Sequence, residues 1–160
     1  MADFRTLLGS LGHTDVATYL QSGNAVFTSN QRSAATLASG IEHGLTESLD
    51  VDVRALVVSQ TRLKRIVNDN PMLGSSADPS YLHVAFLSGV PKAALVKQID
   101  RDSFSPDRFE VHGDVVYLLY PNGMGRSKLD PGKVFGRLGV WATARNWRTV
   151  HALVDLAAST

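Results

Sequence analysis

The sequence predicts an α+β fold built from two duplicated ferredoxin-like (βαββαβ) halves, with the first strand of the N-terminal half missing. Three observations lead to this prediction. Short runs rich in β-branched residues alternate with amphipathic runs of helical period along the 160 residues. The order of strand-like and helical runs in the first half of the chain occurs again in the second half. Between the two copies lies a stretch of Gly, Ser, Asp and Pro at 74–79, which has the composition of a linker.

The N-terminal half, placed at 1–73, contains a helix, a two-stranded hairpin, a helix, a strand and a linking helix. Glycine and asparagine between the first two strands favour a hairpin, because both residues tolerate positive φ. Ser33 has the residue type and position of a helix N-cap, and β-branched residues mark 51–58 as a strand. The predicted ranges of the six elements, in chain order, are 4–11, 16–20, 25–28, 33–49, 51–58 and 60–68.

The C-terminal half, placed at 80–160, repeats the order strand, helix, two strands and helix, and adds a C-terminal helix. Pro91 opens its first helix, since proline is well tolerated at the first helical position. A stretch at 141–146 leads into the C-terminal helix. The predicted ranges of the first five elements, in chain order, are 81–87, 91–99, 109–112, 115–120 and 127–138.

Composition excludes several classes of function. The chain has 0 Cys, so it holds no disulfide, no thiolate zinc site and no cysteine nucleophile. Its net charge of +1 gives no general attraction to nucleic acid or to an acidic membrane, so such binding needs a local patch. The histidines lack the spacing of a zinc site, and we expect no metal and no cofactor. No signal peptide or membrane-spanning run is visible, and we expect a cytoplasmic protein.

Four ordered segments resemble a known family. They are residues 19–27, 82–87, 123–129 and 143–147, with the sequences YLQSGNAVF, LHVAFL, GMGRSKL and TARNW. In sequence, order and spacing these segments resemble the uncharacterised bacterial family named domain of unknown function 1697, and the resemblance spans essentially the whole chain. That family has no established activity, so the resemblance implies an architecture and a bacterial source but no reaction.

The resemblance also implies a difference at the N-terminus. Members of that family usually begin with a further strand and a Gly-rich turn before the helix that starts here at Met1. That strand is central in a ferredoxin-like sheet, so omitting it leaves the backbone groups of its neighbours unpaired. We therefore expect the natural chain to begin upstream of Met1, or else a rearranged sheet or a homodimer to cover the gap.

The strongest candidate site is the turn between the strand at 115–120 and the following helix. Glycines let backbone amides approach a ligand closely, and basic side chains attract an anion. Ser127 fits either a helix cap or a donor to a phosphate oxygen. The alternative interpretation is an ordinary turn with a capping serine and two solvated cations. The candidate ligand-binding residues in this turn are Gly123, Gly125, Arg126, Ser127 and Lys128.

Two further motifs supply candidate ligand-binding residues. Arg145 has the fork geometry for a carboxylate or phosphate, and Asn146 has an amide that could orient a ligand. Gln21 and Asn24 make the first hairpin turn more polar than a hairpin needs. Simpler interpretations stay open for both motifs: an internal salt bridge for Arg145, and a hydrogen-bonded turn for the hairpin.

Three functions compete on these observations. The first is the binding of a small anionic ligand, phosphorylated or nucleotide-like, at the Gly-rich turn. The second is a protein-interaction or dimerisation module without a small ligand, and the third is an enzyme whose catalytic residues are unknown. RNA binding is not favoured, because the aromatic pattern of RNA-recognition domains is absent from the predicted strands.

Overall fold

The computed structural model describes residues 1–74 and 78–159, and it confirms a mixed α+β architecture. The chain divides into two compact units. The N-terminal unit contains Met1–Arg65 and Ala152–Thr160, and the C-terminal unit contains Ile66–His151. The predicted halves at 1–73 and 80–160 stay predictions, and the predicted linker at 74–79 falls partly on residues 75–77, outside the described ranges.

Helices and strands follow one another in both units. In chain order they are α1 (Ala2–Ser10), β1 (Thr14–Tyr19), β2 (Asn24–Thr28), α2 (Ala34–Leu49), α3 (Gln60–Asn68), β3 (Leu82–Leu87), α4 (Ala93–Val96), β4 (Arg108–His112), β5 (Val115–Leu119), α5 (Pro131–Gly136), β6 (Ala142–Asn146) and α6 (Trp147–Ser159). Short 3-10 helices lie at Pro79–Tyr81, Asp102–Phe104 and Met124–Arg126.

The N-terminal unit contains α1 and α2 together with the antiparallel hairpin β1–β2. Leu7 and Leu8 of α1 meet Ile41 and Leu45 of α2 in its buried core, and apolar residues of both hairpin strands pack against that core. As predicted, Ser33 caps α2, because its side chain accepts a hydrogen bond from the backbone N–H three residues later.

The predicted strand at 51–58 is wrong, since residues 51–59 form neither a helix nor a strand. In the described part of the chain, β1 and β2 pair with each other and with no other strand. A strand needs a ladder partner for its backbone groups, and here the Ala55 N–H donates instead to Glu42 Oε1 at 2.7 Å. Ala55 and Val57 pack on the core, so the apolar pattern of this segment reflects burial.

The C-terminal unit contains a four-stranded antiparallel sheet in the order β4-β5-β3-β6. Each of the connections through α4 and α5 joins two strands that are separated by a third. One sheet face forms the main core, where Phe135 of α5 meets Phe109 of β4 edge to face at 5.9 Å between ring centroids. Tyr120 and Leu118 are fully buried in the same core.

Three elements of the C-terminal unit differ from the prediction. The stretch at 141–146 contains a strand, β6, which pairs with β3. The helix predicted at 91–99 shortens to the four residues of α4. The helix predicted at 127–138 shortens to α5, because Pro131 occupies its first turn and Asp130 caps it by accepting a hydrogen bond from the Lys133 amide at 3.2 Å. Ser127 is therefore not the cap of this helix.

Candidate functional site

Strand register brings two loops of the C-terminal unit together at one end of its sheet. Arg108 at the start of β4 pairs with Leu119 at the end of β5. Because the pair is antiparallel, the chain that enters β4 lies beside the chain that leaves β5. Between them is a pocket of about 290 Å³, lined by 103–107 on one side and by Asn122, Gly123 and 126–128 on the other. We call this the loop pocket.

The turn on the β5 side of the loop pocket depends on a glycine. Gly123 has φ +82°, a conformation that L-residues rarely adopt, and its N–H donates to the Tyr120 carbonyl at 2.9 Å. The chain then makes the 3-10 turn Met124–Arg126, in which Gly125 is the middle residue. Gly123 lines the pocket, whereas Gly125 is not among the residues that line it.

A serine and an aspartate join the two sides of the loop pocket. The Ser127 hydroxyl donates to Asp107 Oδ2 at 2.6 Å, and Ser127 Oγ accepts a hydrogen bond from the Leu129 N–H at 2.8 Å. The single hydroxyl proton of Ser127 is thus already used. Ser127 fixes the position of one loop relative to the other, and in this conformation it does not donate to a ligand.

Tyr120 holds the β5-side loop from within the core. Its ring is fully buried, and its hydroxyl donates to the Leu129 carbonyl at 2.9 Å. Burial raises the pKa of this hydroxyl, and the negative charges of Asp107 and Asp130 raise it further. The hydroxyl therefore stays protonated and donating at all ordinary pH values.

The charges of the loop pocket are two cations and one carboxylate. Arg126 and Lys128 are exposed, and neither side chain forms a hydrogen bond or an ion pair with any residue that the structure describes. Asp107 is half-buried, and the described hydrogen bond of its carboxylate is the one from Ser127. The pocket thus offers two cationic side chains to a ligand, with one negative charge on the opposite loop.

Arg145 and Asn146 do not line the loop pocket. Being neighbours on β6, they point to opposite faces of the sheet. Arg145 Nη1 donates to Thr143 Oγ1 at 2.7 Å and to the Ala144 carbonyl at 2.9 Å, and burial lowers the pKa of its guanidinium. Asn146 Oδ1 accepts a hydrogen bond from the Thr149 N–H at 2.8 Å at the start of α6. Both side chains thus have local structural partners.

Gln21 and Asn24 lie in the β1–β2 turn of the N-terminal unit. Asn24 Nδ2 donates to the Tyr19 carbonyl at 3.2 Å and to Ser22 Oγ at 2.8 Å, which are the bonds of a closed hairpin turn. Gln21 is exposed. The preceding residue, Leu20, has φ +58° and is 54% exposed, so this turn carries backbone strain at an apolar side chain.

His83 of β3 is the other polar side chain of note. The ring is half-buried, its Nδ1 atom is buried without a hydrogen-bond partner among the described residues, and the Tyr120 ring lies edge-on at 5.1 Å. Burial lowers the pKa of this histidine.

No group of three or more metal-ligating side chains is found in the described ranges. In those ranges there is also no helix long and apolar enough to cross a membrane.

Sequence reasoning found one side of the loop pocket and missed the other. It identified Gly123, Arg126 and Lys128, which belong to one local motif. It missed Asp107 and the rest of 103–107, which have no motif of their own. Only the pairing of β4 with β5 brings this segment to the turn, and the pairing register was not readable from spacing.

Comparison with known proteins places the chain in a family. The family model described as "Protein of unknown function (DUF1697)" matches residues 1–117. The chain belongs to the DUF1697 family. The match includes the 103–107 side of the loop pocket and ends before the turn at 122–128.

One solved structure similar to this DUF1697 chain is that of the conserved bacterial protein SP0830 from Streptococcus pneumoniae. The two chains are 20% identical, and the match covers 98% of this chain and 88% of that chain with a TM-score of 0.67. At this identity the similarity shows the fold alone. No curated protein matches this DUF1697 sequence.

Proposed function

We propose that the C-terminal unit binds a small anionic ligand, phosphorylated or nucleotide-like, in the loop pocket. The observation that carries this proposal is the pair of cationic side chains, Arg126 and Lys128, which line the pocket without internal partners. Cations that stabilise the fold are held by carboxylates or carbonyls, as Arg101 is by the Phe109 carbonyl at 2.8 Å. Two cationic side chains that line a pocket and have no hydrogen-bond or ion-pair partner in the described chain favour a role in ligand binding.

The shape of the pocket supports a ligand of modest size. Its volume of about 290 Å³ is near the lower limit for small-molecule sites. Two charge-assisted hydrogen bonds, each worth about 1.5–3 kcal/mol, give a Kd on the order of 1 mM. Since both cations are exposed, added salt should weaken the binding further.

Binding fits the site better than catalysis does. The charged side chains that line the loop pocket are two cations and one carboxylate, and its lining contains no histidine. Cations such as these hold an anion directly through charge-assisted hydrogen bonds. We therefore propose binding as the function of this pocket.

The experiment is a titration of the protein with inorganic phosphate and with adenosine monophosphate, followed by amide chemical shifts in NMR spectra. We expect shifts in 103–107 and 122–128, and at least tenfold weaker binding in the Arg126→Ala/Lys128→Ala variant. The matched control is Lys92→Ala/Arg137→Ala, which removes the same charge from exposed positions outside the pocket. Equal weakening in both variants, or no binding by the wild type, would contradict the proposal.

The fold of the C-terminal unit is a separate proposal. The antiparallel order β4-β5-β3-β6, with two helical connections that each cross over one strand, supports its assignment as a ferredoxin-like unit. The N-terminal unit has two paired strands among its described residues, so the duplication rests on the sequence pattern alone.

A further inference from the structure

The loop pocket contains a carboxylate whose negative charge would repel a purely anionic ligand. Asp107 lines the pocket on the loop opposite Arg126 and Lys128. Among the described residues no ion pair joins Asp107 to either cation. The three charged groups are therefore not occupied by direct contacts with one another, and both signs remain available to a bound molecule.

Much of the Asp107 carboxylate is free to accept hydrogen bonds. A carboxylate has about four acceptor positions. Of these, the Ser127 hydroxyl occupies one on Oδ2, and no other described residue donates to Asp107. The negative charge also acts on its surroundings, since it contributes to the raised pKa of the buried Tyr120 hydroxyl. Asp107 is thus a charged acceptor that still has positions open for a cationic donor.

We infer that the ligand of the loop pocket is zwitterionic: a phosphate monoester that also carries an ammonium group a few bonds from the phosphorus. Its phosphate would lie against Arg126 and Lys128, and its ammonium against Asp107. This inference rests on the proposed anion site and narrows its ligand class. A polyanion such as a nucleoside triphosphate would place extra negative charge near Asp107, which is unfavourable.

The rest of the pocket wall agrees with a short apolar spacer between the two charged groups. Phe104 and Pro106 lie on the same side as Asp107 and present hydrocarbon to the pocket. The Phe104 ring is itself held by an edge-to-face contact with Phe109 at 6.3 Å between ring centroids. A two- or three-carbon linker would lie on this surface without leaving a polar group unpaired.

The test compares two probes that differ in one charge, phosphoethanolamine and ethyl phosphate. Each is titrated into the wild-type protein and into Asp107→Asn, with binding followed by NMR chemical shifts. The asparagine oxygen still accepts from Ser127, so this variant removes the charge and keeps the link between the loops. Asp69→Asn is the control, because Asp69 is exposed and lies outside the pocket.

We expect the wild type and Asp69→Asn to bind phosphoethanolamine roughly five- to tenfold more tightly than ethyl phosphate. In Asp107→Asn the two affinities should become equal, with ethyl phosphate bound as tightly as before or more tightly. If Asp107→Asn does not fold, the ratio of the two probe affinities in the wild type tests the inference by itself.

Two other results would overturn the inference in different ways. Equal binding of the two phosphates by the wild type would refute the zwitterionic ligand and leave the anion site standing. Failure of both probes to bind the wild type and Asp107→Asn would refute the anion site itself.

Discussion

Replacing Tyr120 by phenylalanine tests whether one buried hydroxyl holds the loop that forms the candidate site. The hydroxyl donates to the Leu129 carbonyl at 2.9 Å, and both residues are buried, with 0% and 1% exposure. The substitution removes the donor and leaves a carbonyl oxygen without a partner in the core. A group orphaned in this way costs about 1–3 kcal/mol. For a chain of this length, that corresponds to a loss of roughly 3–9 °C in Tm.

The matched variant is Tyr117→Phe. Tyr117 is also buried, and its hydroxyl donates to the Ile66 carbonyl at 2.9 Å, away from the loop pocket. Both variants should lose similar stability in thermal unfolding followed by circular dichroism. Only Tyr120→Phe should also speed amide hydrogen exchange across 123–130, because only Tyr120 is bonded to that segment. Unchanged Tm in Tyr120→Phe, or equal loop exchange in the two variants, would refute this account of the turn.

Two further changes are predicted from backbone strain and from a half-buried imidazole. Burial holds the pKa of His83 below its ordinary value, so the unfolded chain binds the proton more readily than the folded chain does. Stability should therefore fall as the pH drops below about 6.5 toward the lowered pKa, and His83→Leu should reduce this dependence in Tm measured between pH 7.5 and 5. Leu20→Asn should stabilise the protein by roughly 0.5–1 kcal/mol, because asparagine tolerates the φ of +58° better than leucine does. Its midpoint in urea should rise, and a lower midpoint would mean that the exposed Leu20 side chain stabilises the turn.

Local features of the fold were predictable because they depend on residues close together in the chain. The α+β composition, the Ser33 cap and the strands β3 and β5 follow from periodicity and residue type within a few positions. The strand at 51–58 was predicted on the same grounds and was wrong, since a strand also needs a partner. The opposite error occurred at β6, a strand that was not predicted. Its polar residues Arg145 and Asn146 do not resemble a strand in sequence, and it forms the edge of the sheet by pairing with β3.

The residues of the candidate site also divide into those that local sequence predicts and those that only the fold brings to the site. Arg126 and Lys128 were found from sequence because they share one turn with Gly123, and that turn is set by local backbone preference. Asp107 was not found, because it reaches the turn only through the pairing of Arg108 with Leu119, which no local pattern encodes. The sequence by itself determined the α+β class, locally encoded elements such as α2, β3 and β5, and the turn on which the cations lie. Only the tertiary structure decided which carboxylate faces them, since strand register depends on contacts between distant parts of the chain.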